Sequence, residues 1–201
     1  VQDAVNRREW KAAEEYPQAV TFQWGLDFLE NNRQADNWFL HIETFDPHEP
    51  FTAPAEFRQL YDLPESAGQA FDWPDYREVN GLSMEQMERY QRENMALISF
   101  CSYNLGRILD VMDRHELWRD TMLIVNTDHG FFMGEHGWLG KNTGPYYNEV
   151  ANIPLYLYDP RDAGQIRQRD DLVQTVDLPA TLLDCFGIKV AADMTVRPVR
   201  G

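Results

Sequence analysis

Ser83 opens the feature that most restricts what this chain can fold into. Ser83 and Gln86 have the spacing of a capping box. Behind them Met87, Tyr90, Asn94, Leu97, Ile98, Cys101, Leu105, Ile108, Leu109 and Met112 recur at steps of three and four. A mostly apolar stripe sustained over that many turns predicts one long helix laid against a core.

The strands are read from short apolar runs. Met122 to Val125 predicts a fully buried strand that ends at Thr127-Asp128-His129-Gly130. Trp38 to Ile42 predicts another, running into Asp46-Pro47-His48-Glu49-Pro50, where two prolines forbid regular pairing and stiffen a loop. Ile153 to Tyr158 predicts a third. Phe22, Leu26 and Leu29 mark a helix from Thr21 to Asn32, and residues 1–20 are polar and read as helical. A last helix is expected from an N-cap at Asp177, with Pro179 in its first turn, to Gly187. Residues 51–82 hold Pro, Gly and aromatics without a period and are expected to form a loop-rich insertion near the site.

Strands alternating with helices predict an α/β fold with a mainly parallel central sheet flanked by helices, occupying residues 1–201 as part of one domain. Ligands in such sheets sit beyond the C-terminal strand ends. The polar clusters at 46–50 and 127–141 both fall there.

Composition narrows the partners. A net charge of -15 argues against nucleic acid and anionic membranes, both of which call for Lys/Arg clusters. No run of 18 apolar residues exists, and the N-terminus has no secretory pattern. Cys101 and Cys185 lie in helix-like apolar patterns and read as small core hydrophobes.

Asp128 and His129 at a strand end put a carboxylate and an imidazole where both reach one cation, and Gly130 allows a sharp turn. Asp-His-Gly alone marks a turn as readily as a site. The whole run Thr127 to Lys141, TDHGFFMGEHGWLGK, is more specific.

That run resembles the sulfatase family, within the alkaline phosphatase-like superfamily. Four further stretches resemble family segments in the same order: Phe45-Asp-Pro-His-Glu-Pro-Phe51, Asn104 to Leu109 with Leu117 to Thr121, Val150-Ala-Asn-Ile-Pro154, and Val176 to Asp184. The resemblance covers roughly residues 20–190. It implies an alkaline phosphatase/sulfatase-like fold and hydrolysis of a sulfate monoester, on a small molecule or a carbohydrate. By the same resemblance Asp128 and His129 are ligands of a divalent metal, usually Ca2+. Lys141 binds the sulfate and steadies the leaving oxygen. His48 contacts the bridging oxygen or a sulfate oxygen and protonates the leaving group. Positive charge at that point lowers the barrier to S–O cleavage.

Each residue also has a plainer reading: His48 bracing a proline loop, Lys141 as a solvated lysine. His136 is expected in a loop-stabilising hydrogen bond, His41 in a structural strand position, and His115 at a helix C-terminus. Asp46 faces the site or caps the loop, with nothing to separate the two. Tyr61, Phe71, Trp73 and Tyr76 pack, or line a substrate entrance.

The chain departs from the family in lacking the Cys/Ser-x-Pro-x-Arg motif whose first residue becomes formylglycine. It also lacks the paired N-terminal aspartates, the upstream Lys-x-His segment and the small C-terminal subdomain. Ser102 stands where many relatives carry Asp. These absences point to an interior fragment of a longer parent, inactive alone, with the formylglycine expected upstream. Alternatives are a phosphonate monoester hydrolase or phosphodiesterase on the same scaffold, or a non-catalytic anion-binding relative. A lysine in place of a second metal separates sulfatases only from two-metal phosphatases.

Overall fold

The computed structural model describes residues 2–64, 73–162 and 167–199, so Phe71 lies outside the described residues. The chain divides into two compact units. One comprises Val1–His115 and Gly130–Asn152, the other Glu116–His129 and Ile153–Gly201.

In the first unit, α1 (Gln2–Arg7) leads to α2 (Pro17–Asn32), which begins four residues before the expected Thr21 because Pro17 suits the first helical turn. α3 is Ala55–Gln59, β1 is Arg77–Glu78 and α4 is the long helix Met84–Arg114. Its capping box forms as the spacing predicted: Gln86 N–H donates to Ser83 Oγ and Ser83 N–H donates to Gln86 Oε1.

The buried face of α4 is turned from the expected one. Met87, Tyr90, Leu97, Ile108 and Met112 are inside, but so are Glu93, Ala96, Phe100 and Asn104, while Ile98 is exposed. Glu93 can be buried because Arg58 of α3 and Arg89 donate to its carboxylate. A core of Ala19, Phe51, Ala53, Leu97, Phe100 and Leu139 joins α2, α4, the segment between them and the later stretch 138–140.

β3 (Phe132–Met133) and β4 (Trp138–Gly140) form a hairpin, and β4 also pairs with β1. α4 holds this hairpin from below, where Gln91 Nε2 donates to the Met133 carbonyl. α5 (Asn148–Ala151) closes the unit.

In the second unit, β2 (Leu123–Asn126) pairs with β5 (Leu155–Tyr158), with Leu123 opposite Tyr158 and Asn126 opposite Leu155. α6 spans Asp177–Cys185. Asp177 is its first residue rather than its cap, and its carboxylate accepts from the Gln174 N–H.

The α/β class holds, with two differences in the strands. Every ladder among the described residues is antiparallel, where parallel pairing was expected. β2 is half-buried rather than fully buried, having one ladder neighbour among them. Residues 38–45 join no ladder among the described residues. They still alternate: Trp38 meets Phe28 and Ile42 lies beside Gly25, while Phe39, His41 and Phe45 face solvent. Alternation is set along the chain, but a ladder needs a second strand at hydrogen-bonding distance. His41 is exposed. No helix among the described residues is long and apolar enough to cross a membrane.

Candidate functional site

The 46–50 loop is pinned at both ends. At its start Asp46 Oδ2 accepts from Gln18 Nε2 of α2 at 2.8 Å, and Asn104 of α4 donates to the Gln18 amide oxygen at 3.1 Å. Burial pushes the Asp46 carboxyl above its ordinary range, against the Gln18 hydrogen bond and the nearby His48. Asp46 therefore anchors the loop. Just beyond the loop Phe51 is fully buried and meets Phe131 edge-on. Both X-Pro bonds of the loop, Asp46–Pro47 and Glu49–Pro50, are cis.

Between these anchors stands His48. Phe45 lies against its ring, with centroids 4.1 Å apart, and Trp73 approaches edge-on at 6.3 Å. Its Nδ1 is 2.5 Å from the Glu49 carbonyl oxygen. A carbonyl only accepts, so this contact requires the proton on Nδ1.

Lys141 follows β4 directly and is 8% exposed, which excludes the solvated reading. Its Nζ lies 2.5 Å from His48 Nε2 and 5.9 Å from the centre of the Tyr76 ring. Gly140 makes that placement feasible. Its φ is +106°, and a Cβ there would meet the Tyr76 ring at 2.7 Å. An ammonium only donates, so Nε2 faces it with a lone pair, and the Lys141–His48 pair shares one positive charge.

Glu49 is the residue that sequence reading missed. It is fully buried, with Oε1 3.4 Å from Lys141 Nζ and Oε2 3.4 Å from His48 Nδ1. The only sequence signal was a charge confined between two prolines.

Asp128 and His129 belong to the second unit. The Asp128 side chain is 83% exposed, and its Oδ1 accepts from the His129 N–H at 2.9 Å. His129 Nε2 is 3.6 Å from Asp128 Oδ2. An exposed carboxylate with an adjacent imidazole suits one edge of a cation site. Among the described residues no cluster of three or more His, Cys, Asp or Glu completes a ligand set. Ca2+ takes 6–8 oxygen ligands, so these two fit part of such a set only.

The remaining candidates have local roles. His136 Nε2 is 3.1 Å from both Glu149 carboxylate oxygens, and its ring stacks on Tyr147 at 3.9 Å, the loop-bracing role expected of it. His115 caps α4 and reaches Glu30 at 2.8 Å. Gly130 hydrogen-bonds to the Val150 carbonyl, and a Cβ there would strike the Glu149 carbonyl oxygen at 1.9 Å. Tyr61 packs on the core and hydrogen-bonds Ser99, whereas Trp73 is exposed beside His48. Cys101 Sγ accepts from Gln18 at 3.4 Å, and burial pushes its thiol up to about 12.

The model of the family described as Sulfatase matches residues 2–188. The chain belongs to the sulfatase family. An arylsulfatase of Clostridium perfringens is 25% identical over 182 residues, covering 82% of this chain and 37% of that protein. Among solved structures, a protein in complex with its substrate D-glucosamine-2-N,6-O-disulfate superposes with a TM-score of 0.74 at 17% identity, covering 91% of this chain and 51% of that one. A phosphonate monoester hydrolase from Silicibacter pomeroyi gives a TM-score of 0.75 at 20% identity, covering 94% and 41%. These likenesses give the alkaline phosphatase/sulfatase-like fold. The sulfatase chain thus spans well under half the length of that arylsulfatase.

Proposed function

We propose that this chain is the interior part of a longer, metal-dependent sulfatase that hydrolyses a sulfate monoester, with a sugar or a small organic alcohol as the leaving group. The observation that carries the reading is the Lys141–His48 contact at 2.5 Å inside a sulfatase-family chain. The glucosamine disulfate bound by the structural neighbour supports a sulfated carbohydrate.

In this reading Lys141 donates to a sulfate oxygen and the nucleophile comes from outside these residues. As the S–O bond breaks, its electron pair goes to the departing oxygen, which then needs a proton. A proton passed from Lys141 Nζ to His48 Nε2 makes the imidazole the donor, while Nδ1–H stays on the Glu49 carbonyl. The partly buried pair loses little of this charge to solvent screening. Asp128 and His129 would supply ligands to a divalent cation, most simply Ca2+. Such an ion, when bound, would supply Lewis-acid stabilisation of developing negative charge. The 51–82 segment would border the site through Trp73 and Tyr76.

The TM-score of 0.75 to a phosphonate monoester hydrolase favours one second reading, the same machinery acting on phosphonate esters. The test is kcat/KM of the full-length protein for matched aryl sulfate, phosphate and phosphonate esters. The sulfate ester should be preferred. Dominant phosphonate or diester turnover overturns the sulfatase reading, and no turnover of any of the three leaves the anion-binding relative.

A further inference from the structure

Glu49 is difficult to account for as structure. It has no exposed surface, and neither carboxylate oxygen has a hydrogen-bond partner among the described residues. A buried carboxylate without aligned donors is costly, and an apolar side chain would fill the same space without that cost. The other buried acid of this unit shows the contrast. Glu93 is equally buried but takes hydrogen bonds from Arg58 and Arg89.

The two carboxylate oxygens of Glu49 divide between two partners. Oε1 is 3.4 Å from Lys141 Nζ and Oε2 is 3.4 Å from His48 Nδ1, while Nζ and Nε2 of the same two side chains touch at 2.5 Å. Glu49, Lys141 and His48 therefore form a closed triangle, with the carboxylate along the side away from the Nζ–Nε2 contact.

We infer that Glu49 is a positioning residue: its buried carboxylate holds Lys141 and His48 in register so that a proton passes between them during ester cleavage. This rests on the reading of Lys141 and His48 as the substrate-facing pair. The carboxylate has a second effect. With the proton on Lys141 it neutralises the ammonium at Oε1. With the proton on His48 it faces the imidazolium at Oε2. It stabilises both states at similar separations, so moving the proton does not strand a buried charge. The hydrogen-bond geometry is left to the pair itself, which is why the carboxylate oxygens carry none.

The role separates from a packing role by leaving group. A p-nitrophenolate departs without a proton, whereas the alkoxide of an alkyl or sugar sulfate requires one. Glu49→Gln keeps the volume and removes the charge. In the full-length protein it should lower kcat on an alkyl sulfate by about 10- to 100-fold. On p-nitrophenyl sulfate it should lower kcat by less than about threefold, with KM unchanged or lower in both cases because a negative charge has left the anion site. Glu49→Asp, which keeps the charge, should recover part of the alkyl sulfate rate. Equal losses on the two substrates, or a raised KM with kcat intact, overturn the proposal.

A second measurement does not depend on turnover. In protein labelled with nitrogen-15 at lysine, a slowly exchanging Lys141 ammonium signal should be present in wild type and lost in Glu49→Gln. Its persistence overturns the positioning role. Should wild type hydrolyse no sulfate ester, the sulfatase reading fails on its own, and this signal still decides for or against Glu49.

Discussion

Lys141 Nζ sits 2.5 Å from His48 Nε2 although 93 positions separate the two residues. The imidazole is oriented by its own loop, through Nδ1 and the Glu49 carbonyl, and the lysine is delivered by the strand that ends at Gly140. Neither side chain is free to turn away without losing a specific contact.

Because the two share one proton, their contributions to catalysis should not add. In the full-length protein Lys141→Ala should cost about 2–4 kcal/mol of transition-state stabilisation, as for loss of a main partner of the developing oxyanion. His48→Ala should cost less on substrates with good leaving groups. The double variant should lose little more than Lys141→Ala alone. Steady-state kcat/KM across the four proteins measures this, and full additivity would mean that the residues act separately.

The 201-residue chain by itself should not turn over p-nitrophenyl sulfate, and it should hold Ca2+ weakly or not at all. Asp128 and His129 offer two donors where the ion takes 6–8 oxygen ligands. Calorimetry with CaCl2 checks the second expectation. Tight one-to-one binding would show that ligands beyond Asp128 and His129 are at work.

Removing one member of the Arg58–Glu93 pair should be costly. Arg58 is 1% exposed and Glu93 has no exposed surface, so Glu93→Gln leaves a buried guanidinium without its counter-charge. The expected loss is about 3–5 kcal/mol, read as a shift in the urea midpoint. Arg58→Met combined with Glu93→Leu should recover most of it, since an apolar pair of similar volume avoids the desolvation of both charges.

The Gln18 cluster predicts a pH dependence of stability. The Cys101 thiol is held above its ordinary value of 9.0, at about 12, by burial first and the Asp46 charge second. Folding thus favours the neutral thiol. Its contribution is fully present below the unfolded value and is lost as pH rises through the folded one. Urea unfolding from pH 9 to pH 12 should show stability falling more steeply in wild type than in Cys101→Ala. Burial raises the Asp46 carboxyl too, so folding favours its neutral form. Asp46→Asn should gain stability above the raised folded value, and the gain should shrink as the pH falls through that value to the ordinary aspartate range.

Several parts of this molecule are decided within a few residues of themselves. The start of α4 rests on a reciprocal bond between Ser83 and Gln86, three positions apart, and so it could be read directly from their spacing. The Asp128-His129 pair needed only adjacency. The family resemblance likewise lay in ordered local motifs. Other features depend on partners far along the chain, and there the tertiary structure decides. Glu93 rather than Ile98 faces inward on α4 because Arg58, 35 positions away, comes to meet it. The segment 38–45 keeps the alternation of a strand but joins no ladder among the described residues, since pairing belongs to two segments and alternation to one. The burial of Glu49 between His48 and Lys141 had no local signal beyond its two flanking prolines, because Lys141, 92 positions on, is needed to place that charge inside.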